Sequence, residues 1–124
     1  MKKGGIKLAN LAIGELGVRG LATNINEFLN DVSSDNFKFR LTNIDEINLD
    51  EEKKLLGQAK VFYKIEYRWS IDEKELIYIS NKYNLNIWIE VFETDLGFRE
   101  ELCVVNGLVV YTDYNEWNYY QGEW

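Results

Sequence analysis

The chain has 124 residues, 46% hydrophobic and 15% aromatic, which suffices for one core and is too short for two domains, so residues 1–124 read as a single domain. With no histidine and one cysteine, Cys103, intramolecular disulfides, thiolate zinc sites and His-activated nucleophiles are excluded. The formal net charge of −7 equals that of residues 84–124 alone, where eight carboxylates meet one cation, Arg99.

From the N-terminus, Lys2 and Lys3 precede only a short apolar run, Leu8 to Ile13, broken at Gly14. No signal peptide and no membrane span is read, and a cytoplasmic location is expected. Ile6, Leu8, Leu11 and Ile13 mark a first strand, and the glycine-spaced segment Gly14 to Gly20 reads as a turn-rich connection. Thr23 is the expected cap of a helix whose Ile25, Phe28, Leu29 and Val32 follow the i, i+3, i+4, i+7 spacing of one buried stripe. Phe37, Phe39 and Leu41 alternate with Lys38 and Arg40 as a short strand.

Residues 43–60 read as an acidic inserted connection holding a brief helix after Asp50; Asp45, Glu46, Asp50, Glu51 and Glu52 lack the spacing of a calcium loop. The clearest period-2 strand follows, with Val61, Tyr63, Ile65, Tyr67 and Trp69 facing inward and Trp69 anchoring the core at its end. Ser70 and Glu73 form the pattern of a capping box, opening a helix with Leu76, Ile79 and Tyr83 that ends at Asn84. Ile87, Ile89 and Val91 alternate with Trp88, Glu90 and Phe92 in the next strand. A turn through Thr94 to Gly97 leads to the strand Phe98 to Val105, in which Cys103 reads as a small buried hydrophobe. Asn106-Gly107 signals a type I′ hairpin returning through Leu108 to Tyr111, and residues 113–124 form an aromatic and acidic tail. Tyr119, Tyr120 and Trp124 leave self-association open.

Strand, helix, strand, strand, helix, strand and a final hairpin give the expected fold: α+β, a ferredoxin-like split βαβ sandwich (βαββαβ) with an extra C-terminal β-hairpin. Asn10 with Gly14, the helix ending at Phe28-Leu29, Trp69-Ser70 leading to Leu76 and Ser80, and Glu93 with Gly97-Phe98 before Gly107 carry a resemblance over most of the chain. On these residues it resembles the YubB-type ferredoxin-like domain family of plasmid and phage proteins. Where members of that family have a Pro-Asn-Trp-Cys-type start and a proline after Trp-Ser, this chain has Lys7-Leu8-Ala9-Asn10 and Ile71-Asp72. The resemblance implies a fold and a mobile-element setting, with no reaction attached.

Acids and rings interleave in the distal third, and a small acidic domain is attracted over long range to Lys/Arg-lined channels. The first expectation is therefore a phage or mobile-element protein that binds and inhibits a host protein with a basic nucleic-acid-binding surface, of anti-CRISPR or anti-restriction type. Its partner would be a CRISPR effector or another nuclease. Trp88 and Phe92 are the anchors and Glu90, Glu93, Asp95, Glu100 and Glu101 the charge; no catalytic residue, metal, cofactor, membrane or directly bound nucleic acid is expected. A second reading is a nucleic-acid-binding ferredoxin-like module stacking bases on Phe62, Trp88 and Phe92, against which the net charge speaks. A third is a carboxylate- and Mg²⁺-dependent enzyme or a small-ligand-binding domain.

Overall fold

Two faces of different chemistry arise from the alternation along each strand, and the computed structural model shows which face each helix covers. It describes residues 11–34, 37–42, 57–95 and 97–116. In chain order the elements are β1 (Leu11–Leu21), α1 (Ala22–Val32), β2 (Phe39–Leu41), β3 (Gln58–Arg68), α2 (Glu73–Tyr83), β4 (Asn86–Glu93), β5 (Phe98–Val105) and β6 (Leu108–Glu116). The strands form one six-stranded antiparallel sheet in the order β2-β3-β1-β4-β5-β6.

Ala12, Leu16 and Val18 of β1, Tyr63, Ile65 and Tyr67 of β3, and Ile87, Ile89 and Val91 of β4 are buried on one face. The apolar stripes of the helices, Ile25, Phe28 and Val32 of α1 and Leu76, Ile79 and Tyr83 of α2, belong to the same core. Removing this surface from water is the main force holding the layers together. The Tyr83 hydroxyl donates to the Asp31 carboxylate and ties α2 to α1.

Several local expectations are corrected. Gly14 to Gly20 is not a connection: it is the middle of β1, which lies between β3 and β4. Gly14 is required by close backbone approach, since a Cβ there would stand 1.9 Å from the Glu90 carbonyl oxygen. The N-cap of α1 is Leu21 and not Thr23; with no side-chain cap, the helix start is satisfied by the Ala22 N–H donating to the Gly57 carbonyl at 2.9 Å.

Asp72, not Ser70, caps α2, accepting from the amides of Lys74 and Glu75 at 3.1 and 3.3 Å. Trp69 is no core anchor. It lies past the end of β3 with φ of 71° and is 56% exposed, because the chain must turn there to enter α2. Cys103 is half-buried on the face away from the helices.

Other expectations hold. Asn84 ends α2 in the left-handed conformation, and positive φ at both Asn106 and Gly107 fits the type I′ turn. The return strand β6 is longer than expected: it runs past Tyr111 to Glu116, so residues 113–116 pair with β5 and are not tail, with a register shift at Cys103/Val104. Ile6, Leu8, the brief helix after Asp50 and the rings beyond Glu116 lie outside the described residues.

The open face of the sheet as a candidate binding site

Neither helix covers the second face, so its side chains stand in rows set by strand register. One row runs Phe62, Gly17, Trp88, Cys103, Tyr111 from β3 to β6. Phe62 is 52% exposed and meets Trp88 edge-on, with ring centroids 6.0 Å apart. Gly17 between them makes the meeting possible: its Cβ would come within 2.8 Å of the Phe62 ring and 3.4 Å of Trp88. A missing side chain in the middle strand thus creates an aromatic ridge across the sheet.

On one side of this ridge, two residues along the strands, Arg19 of β1 stands directly opposite Lys60 of β3 and beside Asn86 of β4. A concavity of about 470 Å³ lies here, walled by Phe62 and Trp88, by Cys103 and Val105, and by Arg19 and Lys60. The Lys60 ammonium lies 6.0 Å from the Phe62 ring centroid. Asn86 offers its Oδ1 to the Asn106 N–H at 3.2 Å, so the donor end of its amide is what remains for a ligand.

On the other side of the ridge the row is Lys64, Glu15, Glu90, Glu101, Asp113. Arg99 gathers the last three: its guanidinium reaches Glu90 at 2.6 Å, Glu101 at 2.5 Å and Asp113 at 2.8 Å. Hydrogen bonds to Glu90, then Asp113 and Glu101, push the Arg99 pKa above its already high ordinary value. Glu101 also accepts from Trp88 Nε1 at 2.7 Å, which fixes the indole against the carboxylate row. Cys103 has its thiol pKa raised by burial and by the charge of Glu101.

The residues expected to bind a basic partner divide between the faces. Trp88, Glu90, Phe92 and Glu101 stand on the open face, where the two carboxylates are held by Arg99. Glu93 is 1% exposed on the helix-covered side, and Glu100 shares that side, accepting from the Ile71 N–H at 2.9 Å. Burial raises the Glu100 pKa, and the Ile71 bond partly offsets this. Asp95 is exposed in the turn between β4 and β5.

Arg19, Lys60 and Gly17 were absent from the sequence expectations. Arg19 sits inside the glycine segment read as a turn, and only strand register shows it facing Lys60. Among the described residues no group of three or more His, Cys, Asp or Glu side chains is placed to hold a metal ion, and no helix is long and apolar enough to cross a membrane. No family model, curated protein or solved structure matches the chain.

Proposed function

We propose that this protein is a nucleic-acid-binding module whose open sheet face takes single-stranded nucleic acid, stacking a base on Phe62 and Trp88. The observation that carries the reading is the aromatic pair over Gly17, an exposed Phe62 against a half-buried Trp88, beside Arg19 and Lys60. Stacking on an aromatic is worth about 1–3 kcal/mol per base and tolerates any sequence. The strand order β2-β3-β1-β4, with α1 and α2 on one face, supports reading the chain as a ferredoxin-like split βαβ sandwich extended by the β5–β6 hairpin. Such a sheet presents its open face to unpaired bases.

The net charge of −7 is the apparent obstacle, and its distribution removes much of it. By register, the open face holds six cations and five carboxylates among the described residues, while the other nine described carboxylates belong to the helices, the turns or the helix-covered side. Fluorescence anisotropy with an internally labelled single strand tests the reading. Phe62→Ala and Trp88→Ala should each weaken binding about tenfold; a wild-type chain that binds no single strand ends it.

A second reading, the mobile-element inhibitor of a basic nuclease, draws on the carboxylates of the helix side, where Glu27, Glu73, Asp95 and Glu116 are exposed. It expects the chain to ignore free nucleic acid and to bind a basic nuclease in a salt-sensitive manner. The same titration, repeated with such a nuclease in place of the strand, separates the two.

A further inference from the structure

Like charges directly opposite each other on neighbouring strands repel, and Arg19 and Lys60 are such a pair. Lys38, Arg40, Lys82 and Arg99 each reach a carboxylate within 4.0 Å, whereas Arg19 and Lys60, like Arg68 and Lys74, have no ion pair among the described residues; of these four, Arg19 and Lys60 are the two that face each other across adjacent strands. Both line one concavity, of a size that takes a single small ligand, and the aromatic ridge, Cys103 and Val105 form its other walls. Two unpaired positive charges over one cavity call for one doubly charged anion.

Resting on the function proposed above, we infer that the concavity holds the phosphomonoester end of a single strand, with the terminal phosphate between Arg19 and Lys60 and the terminal base against Phe62 and Trp88. A terminal phosphate carries a charge of about −1.5 to −2 at neutral pH, where an internal phosphodiester carries one. The far side of the ridge argues for an end and against a continuous track. Two residues beyond it, about 7 Å along the strands, Glu15, Glu90, Glu101 and Asp113 outnumber the two cations there, Lys64 and Arg99, and leave a net negative charge that disfavours the next phosphate. Stacking and charge thus serve one nucleotide and stop.

The test compares three ligands on the full chain by anisotropy competition: a short strand with a terminal phosphate, the same strand without it, and a nucleoside monophosphate. The phosphorylated strand should bind about tenfold more tightly than the dephosphorylated one. Arg19→Gln with Lys60→Gln should erase that preference, weakening the phosphorylated strand by about tenfold more than the dephosphorylated one. This variant removes a repulsion and should fold, which its circular dichroism checks. Equal binding of the two strands overturns this inference and leaves the module reading standing. A nucleoside monophosphate that binds as tightly as the phosphorylated strand overturns the strand end as source, and no binding of any strand overturns both readings.

Discussion

Two glycines of β1, three residues apart, do different work. At Gly14 the neighbour a Cβ would strike is backbone, the Glu90 carbonyl at 1.9 Å, so Gly14→Ala must part β1 from β4. At Gly17 the nearest obstacle is the Phe62 ring at 2.8 Å, which rotates away. In urea denaturation Gly14→Ala should lose about 3 kcal/mol or more and Gly17→Ala about 1 kcal/mol. Gly17→Ala should nonetheless lose strand binding, because it breaks the ridge. Glu100 offers a residue-scale test by pH. Burial raises its folded pKa, so its contribution grows less favourable as pH rises through the carboxylate range. Glu100→Gln keeps an acceptor for the Ile71 N–H and should raise the urea midpoint at neutral pH, with the gain vanishing in acid where Glu100 is itself protonated.

At the scale of elements, the start of α2 is secured by a chain of polar contacts. Asp72 caps the helix and pairs with Lys38 at 2.8 Å; Tyr67 donates to Glu75 at 2.6 Å and accepts from the Asp72 N–H at 3.2 Å; Glu75 in turn accepts from the Lys38 N–H at 2.9 Å. The segment leading into β2 is thereby fastened to α2 across the end of β3. Asp72→Ala should cost about 1 kcal/mol for the lost cap. Asp72→Asn keeps the cap and removes only the charge. The hydrogen bond from Lys38 holds the folded Asp72 pKa below its ordinary value, so that stability is present at neutral pH and is lost as pH falls through the folded pKa. Asp72→Asn should therefore be less stable than wild type at neutral pH and equal to it in strong acid, read from urea midpoints across pH.

At the largest scale, the described residues separate a mixed-charge open face from a more acidic helix side, so the net charge of −7 by itself does not describe the open face. If one phosphate is neutralised, the logarithm of affinity should fall with the logarithm of salt with a slope of about −0.7, the value for one phosphate on a single strand. A slope several times steeper would require a longer electrostatic track than this face possesses. What was legible in the sequence was periodicity: the alternation in β3, β4 and β5, the apolar stripes of α1 and α2, and the Asn106-Gly107 turn all follow from local spacing. Spacing of that kind reports which side chains share a face. It was silent on Gly14 to Gly20, because glycines read as a turn until another backbone is known to lie against them. It misplaced Trp69 and the cap of α2, since two residues decide where a chain leaves a strand and only packing chooses between them. The candidate site was half visible, as Phe62 and Trp88 but not as Arg19 and Lys60. Opposition of two charges across β1 and β3 is a property of register, set when residues more than forty positions apart hydrogen-bond, and tertiary structure alone decides that.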